Sequence, residues 1–262
     1  MKISLIQMDM KLGEPEYNFQ HAKNLALQAA KERPDVMCFP ETWNVGSFPK
    51  ENLASYCDNN GEKTKEQFGN LAKELNINII AGSVANVKGD KIYNTSLVFD
   101  RKGQCIAEYD KTHLFTPLDE DGFFEFGDKT VTFELDGVKC GLIICYDVRF
   151  PELVRTLALQ GIQVSFVPAQ WPDIRVNHWK VLNQARAIEN QMFVACVNSV
   201  GKAGKIQFGG HSALIDPWGE VLKMGGGSEE IITDTFDLSI IKGIRESINV
   251  FRDRKPELYE IK

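Results

Sequence analysis

The sequence predicts an α/β layered sandwich with mixed sheets, because short apolar runs of strand length alternate with segments whose apolar residues recur at helical spacing. Several of those strands are joined by tight turns, so antiparallel pairs must sit beside parallel ones. No Pro/Ser-rich linker, fixed-period repeat or low-complexity run divides the 262 residues, and one domain over 1–262 is expected.

Taken in order, Ile3 to Met8 reads as a buried strand, and Phe19, Ala22, Leu25, Ala26 and Ala29 then recur with helical period up to Pro34. Val36 to Phe39 is a second strand, and a helix from about Thr64 to Leu75 leads into the apolar run Ile77 to Val84. Lys88-Gly89-Asp90 and Arg101-Lys102-Gly103 are turns that delimit strands Lys91 to Phe99 and Gln104 to Tyr109. Val131 to Leu135 and Cys140 to Ile144 flank a turn at Asp136-Gly137, and a helix begins near Pro151, a favoured first helical residue. Strands Val164 to Val167, Phe193 to Val197, Ser212 to Asp216 and Ile231 to Phe236, with a helix Asn177 to Asn190, complete the series. Gly225 to Gly227 forms a loop between two short apolar segments. Helices should cover the outer faces.

Composition narrows the partners. Thirty Lys and Arg against 36 Asp and Glu leave a net charge of −6, so no global positive field draws in a phosphate backbone, and nucleic acid is not expected. No stretch approaches the roughly 18 apolar residues of a membrane span, and the opening MKISLIQMDMKLGE lacks a signal-peptide apolar core. The chain is expected to stay in the cytoplasm. Its six cysteines are scattered without metal-ligand spacing, so most should be reduced thiols in apolar sites, with no metal and no cofactor.

Three strand ends carry chemistry. Cys145 follows the buried strand Cys140 to Ile144 and precedes a helix, where a helix dipole would favour the thiolate. The polar residues after it, Tyr146, Asp147 and Arg149, mark where that strand leaves the core. Val36 to Phe39 runs into Pro40-Glu41, placing a carboxylate in a partly dry crevice where burial would raise its pKa towards that of a general base. Gln104 to Tyr109 runs into Asp110-Lys111, an ammonium able to hold a thiolate or stabilise an oxyanion. A Cys/His pair is the competing arrangement, but His113, His178 and His211 sit in no recognisable protease signature.

Pro40-Glu41, Asp110-Lys111-Thr112-His113-Leu114-Phe115 and Cys145-Tyr-Asp-Val-Arg-Phe-Pro-Glu152 resemble, in order and context, the motifs of the nitrilase superfamily of carbon–nitrogen hydrolases. The likeness runs from the opening strand to the Asp216-Pro-Trp-Gly219 turn. It implies a four-layer αββα sandwich that dimerises, with Cys145 as nucleophile, Glu41 as base and Lys111 as oxyanion stabiliser. It also implies a second glutamate after the lysine, for which Glu120 fits best with Asp119 and Glu125 close by. The Tyr146 N–H is expected as a second oxyanion donor. Ala169-Gln-Trp171-Pro-Asp-Ile-Arg175 and the helix after it resemble the bacterial ω-amidase branch, which implies a small amide such as 2-oxoglutaramate or succinamate, with water as co-substrate. The other readings are a different hydrolase of the superfamily, acting on deaminated glutathione, a carbamoyl compound or a nitrile, and a catalytically idle binding protein. A substrate carboxylate needs a cation, for which Arg175 is the first choice and Arg149 the second, Arg149 also being placed for a structural ion pair with Asp147 or Glu152. Trp43 and Trp171 flank motif loops and are expected near the pocket.

Overall fold

β1 (Lys2–Gln7) shows the packing logic in miniature: Ile3 and Leu5 face one apolar cluster and Ile6 the other, the two-residue period of a strand buried on both sides. The structure, a computed structural model, describes residues 1–47 and 49–259. In its first half α1 (Pro15–Ala29), β2 (Val36–Cys38), α2 (Leu53–Tyr56), β3 (Asp58–Asn59) and α3 (Glu62–Leu75) follow β1. After them come β4 (Asn78–Ile80), β5 (Val84–Lys88), β6 (Lys91–Phe99) and β7 (Cys105–Asp110). The second half holds β8 (Thr132–Leu135), β9 (Val138–Leu142), α4 (Pro151–Leu159), β10 (Val164–Ala169), α5 (Val176–Asn190) and β11 (Phe193–Asn198). It closes with β12 (Lys202–Ala203), β13 (Ile206–Gln207), β14 (Ala213–Ile215), β15 (Val221–Met224), β16 (Glu230–Thr235) and α6 (Ile240–Ser247).

One sheet runs β16-β1-β2-β4-β6-β5-β3, with β7 also paired to β6, and the other runs β15-β14-β11-β10-β9-β8. Both are mixed. β1, β2 and β4 are mutually parallel, as are β9, β10 and β11, while hairpins supply antiparallel neighbours such as β6·β7 and β8·β9. Ile3, Leu5, Val36, Cys38 and Val98 pack between the sheets against Leu142, Phe166 and Ala195. Ile6, Met37, Phe39 and Ile79 face Phe19 and Leu25 of α1 and Phe68 and Leu71 of α3. Val154 and Leu157 of α4 and Trp179 and Ala187 of α5 cover the second sheet, so the layers are αββα.

The sequence-predicted elements are present, most with ends shifted by one or two residues and α1 beginning four residues before Phe19, with one division. The run Ile77 to Val84 is two strands, β4 and β5, separated at Gly82, whose φ of +63° and the 1.9 Å approach of the Pro40 carbonyl to an added Cβ admit only glycine. That tight contact seats the loop carrying Glu41. α6, with Gly243 in its middle, is an element the period reading did not identify.

Candidate active site

Strand ends from both sheets meet at one point. Glu41 leaves β2, Lys111 leaves β7, Cys145 lies three residues past β9, and Gln170 follows β10. The sheets are joined there by backbone: the Glu41 N–H donates to the Ala169 carbonyl at 3.4 Å, and the Gln170 N–H donates to Glu41 Oε2 at 2.8 Å. Crevices outside the carboxyl ends of strands are where α/β sheets place their ligands.

Lys111 Nζ is 2.8 Å from Glu41 Oε1 and 2.8 Å from Glu120 Oε2, and all three side chains are buried. Glu120 Oε2 also accepts the Phe115 N–H at 2.6 Å, which folds the loop after Lys111 back over it. The two neighbouring acids are elsewhere: Asp119 pairs with Lys50 and Glu125 with Lys91, both at the surface. Burial alone would push the Lys111 ammonium down, but Glu120, Glu41 and Cys145 outweigh it and hold it well above its ordinary value. The lysine is therefore a fixed cation.

Cys145 has φ of +48°, a left-handed conformation that costs a non-glycine residue roughly 1–3 kcal/mol and persists at sites whose surroundings over-determine it. Its Sγ lies 4.0 Å from the Gln170 carbonyl. Burial, with the Glu41 charge added, holds the thiol well above its ordinary value, and Lys111 opposes this. In place of the expected helix only a short 3-10 turn, Cys145–Arg149, directly follows the cysteine, and burial beside Glu41 disfavours the thiolate. That turn leaves the Tyr146 N–H in its first turn, where helical donors lack acceptors within the helix.

Behind the thiol a third buried acid plays a different part. Asp147 accepts from the Tyr109 hydroxyl at 2.7 Å, the His113 N–H at 3.0 Å and the Ile144 N–H at 2.9 Å, and it contacts His113 Nδ1 at 2.8 Å. It ties the loop after Lys111 to the loop bearing Cys145. His113 also stacks on Phe150, His178 meets Arg149, and His211 Nδ1 contacts the Gly209 carbonyl, so none is bonded to Cys145.

Glu41, Lys111, Glu120, Cys145, Tyr146, Arg149, Trp171 and Arg175 all border one cleft of about 550 Å³, including its mouth. Trp43 does not: it is fully buried against Phe19 and Phe68, with its indole N–H on the Ala81 carbonyl, because the chain turns inward directly after Glu41. Arg149 does not form the ion pair its sequence neighbours suggested, since Asp147 is engaged by Tyr109, His113 and Ile144. Its guanidinium lies 4.7 Å from the Trp171 ring, and that of Arg175 lies 5.3 Å from the Phe115 ring. Among the described residues neither arginine has a carboxylate partner. Burial draws the Arg149 pKa down, Tyr146 opposes this, and the charge of Arg175 pushes it down further. No three His, Cys, Asp or Glu side chains converge as a metal ligand set among the described residues.

The Carbon-nitrogen hydrolase family profile matches residues 2–246. The chain belongs to that family. It is similar to the 2-oxoglutaramate amidase of Bacillus subtilis (strain 168), at 42% identity over 98% of each chain. It is also similar to the omega-amidase NIT2 of Homo sapiens, at 31% identity over 99% of this chain and 97% of that one. Among solved structures it resembles a glutamate-to-glutamine mutant of the amidase from Nesterenkonia sp. AN1, with a TM-score of 0.87, 25% identity, and 98% and 95% of the two chains covered. That structure shows the acetamide moiety of fluoroacetamide covalently added at the active-site cysteine.

Sequence reading missed several residues that shape this hydrolase's site. Asn198 grips the cleft wall, its Oδ1 accepting the Trp171 N–H at 2.6 Å and its amide donating to the Trp171 carbonyl at 3.0 Å. Asn94 donates to both buried glutamates. The available signal was the polar run Asn94-Thr95-Ser96 inside an otherwise apolar strand, since buried polar side chains in a sheet require partners.

Proposed function

We propose that the protein is an ω-amidase, hydrolysing the terminal amide of a small carboxylate-bearing substrate of the 2-oxoglutaramate or succinamate type. The observation that carries this reading is the pair of guanidiniums at Arg149 and Arg175, without an acid partner among the described residues and bordering the same cleft as Cys145. Both guanidiniums are half-buried, and a partly desolvated cation without a counter-ion favours a ligand that brings a carboxylate. The name of the Bacillus subtilis relative agrees with that chemistry.

In this reading Glu41 takes the Cys145 proton as Sγ attacks the amide carbonyl, and the negative oxygen falls to the Lys111 ammonium and the Tyr146 N–H. Glu41 returns the proton to the departing nitrogen, the C–N bond breaks, and ammonia leaves a thioester on Cys145. A water that gives its proton to Glu41 then attacks the thioester, and as the C–S bond breaks that proton returns to the thiol. Glu120 holds Lys111 in place throughout. Tyr146 and Trp171 wall the substrate, and Arg175 and Arg149 receive its carboxylate.

The reading includes one hydrolase domain over 1–262, and a homodimer in the cytoplasm that needs neither metal nor cofactor. One cooperative unfolding transition and a light-scattering mass of twice 29.5 kDa check the domain and the dimer. The function itself is tested by ammonia release from 2-oxoglutaramate, succinamate, uncharged amides, carbamoyl compounds and nitriles. Preference for the two carboxylate-bearing amides is expected. Preference for nitriles or carbamoyl compounds would reassign the substrate.

A further inference from the structure

Asn94 sits in the middle of β6 and touches both buried carboxylates at the inner end of the cleft and the backbone of Lys111. Its side-chain nitrogen donates to Glu41 Oε1 at 2.9 Å and to Glu120 Oε1 at 3.2 Å, while its backbone carbonyl accepts the Lys111 N–H at 2.9 Å. The residue is fully buried, and its side-chain oxygen has no donor among the described residues. An amide whose oxygen is orphaned in the core gives up a hydrogen bond to keep its nitrogen where it is. Turning it over would satisfy nothing, since the oxygen would then face two carboxylates.

The charge balance explains what that sacrifice secures. Two carboxylates share one ammonium, so each needs further donors to balance its charge. Arg149 and Arg175 stand at the mouth, Cys145 borders Glu41, and Asp110 on the same strand end as Lys111 is held by Lys88 and Thr95. The Gln170 N–H serves Glu41 Oε2 and the Phe115 N–H serves Glu120 Oε2. Each carboxylate's other oxygen depends on Lys111 and Asn94.

We infer that Asn94 is a positioning residue that keeps Glu41 and Glu120 ionised together, so that Glu41 is free to accept the thiol proton. The inference rests on the assignment of Glu41 as the base. It does not depend on which amide is the substrate.

The test is the pH dependence of Cys145 alkylation by iodoacetamide, read by mass spectrometry of the labelled peptide, beside the pH dependence of kcat/KM on 2-oxoglutaramate. The variants are Asn94→Ala and the near-isosteric Asn94→Asp, which fills the same volume should the alanine variant fold poorly. Both are expected to move the acid limb of alkylation to higher pH, Asn94→Asp further because it adds a third carboxylate. A kcat loss of about 10-fold or more at pH 7, with KM changed less than kcat, should accompany it. An acid limb left where the wild type has it, in a folded variant, would overturn the inference and reduce Asn94 to a packing role. Glu41→Gln is the control: if it leaves the alkylation profile unchanged, the assignment of the base fails and not the inference about Asn94 alone. Inactivity on 2-oxoglutaramate with the alkylation shift intact would change only the substrate.

Discussion

The two ends of the cleft carry charge in opposite ways. At the inner end every charge has a partner within hydrogen-bond distance, Lys111 lying between Glu41 and Glu120 with Asn94 behind them. At the outer end Arg149 and Arg175 rest on Trp171 and Phe115, with no acid opposite among the described residues. Groups that exchange protons in each turnover must be held in fixed geometry, whereas groups that read a ligand are left for the ligand to complete. In the proposed function, paired charges mark chemistry and unpaired ones mark recognition.

The most damaging change to the inner end is Cys145→Ala, which should abolish turnover and remove any thioester from intact-mass spectra while the melting temperature changes little. Amidase activity above a trace in that variant would remove the nucleophile from the scheme. Glu41→Gln and Lys111→Met should each lower kcat by about 10²-fold or more, the scale of a lost general base or oxyanion donor. Lys111→Met also leaves Glu41 and Glu120 buried without their cation, so a stability loss of about 3–5 kcal/mol by denaturant unfolding is expected beside the kinetic one. Raised KM at unchanged kcat in either variant would contradict its role.

At the outer end, Arg175→Met or Arg149→Met should cost carboxylate-bearing substrates roughly 2–5 kcal/mol in kcat/KM, the range for truncating one side of a desolvated charge pair. Uncharged amides should lose much less.

A pair remote from both ends sets the lower scale. His21 Nε2 lies 2.7 Å from Glu229, whose hydrogen bond raises the His21 pKa despite burial, while the Glu229 pKa is lowered by His21 against burial. The histidine's contribution is fully present below its unfolded value near pH 6.5 and is lost as pH rises through the higher folded value. The glutamate's is present above about pH 4.5 and lost as pH falls through its lowered folded value. His21→Ala should therefore cost most between those limits, under about 1 kcal/mol for so exposed a pair. Thermal melts at pH 5.5 and 8.5 compare the two, and an equal loss at both would deny the charge pairing.

The inner end was more legible in the sequence than its supports. Glu41, Lys111 and Cys145 each follow a run of strand period, so local patterning locates them. Which acid after Lys111 turns inward is set by the fold of its loop, and Glu120, Asp119 and Glu125 look alike until the Phe115 N–H meets one of them. Trp43 was misplaced because proximity to a motif says nothing about the direction of the next side chain. Asn94, Asp147 and Asn198 act across 12 or more residues through bonds between elements, which period cannot reveal. The layered class was readable from alternation, but the split of Ile77 to Val84 depends on Gly82 meeting the Pro40 carbonyl, a tertiary contact.

The division between the two ends is tested most directly by kcat/KM on succinamate and on butyramide, an uncharged amide of similar length, for wild type, Arg175→Met, Arg149→Met and Glu41→Gln. The wild type should prefer succinamate, one or both arginine variants should lose most of that preference, and Glu41→Gln should slow both substrates by a similar factor while keeping it. A succinamate-to-butyramide ratio that survives both arginine substitutions, or collapses with Glu41→Gln, would contradict the assignment of recognition to the unpaired charges and chemistry to the paired ones.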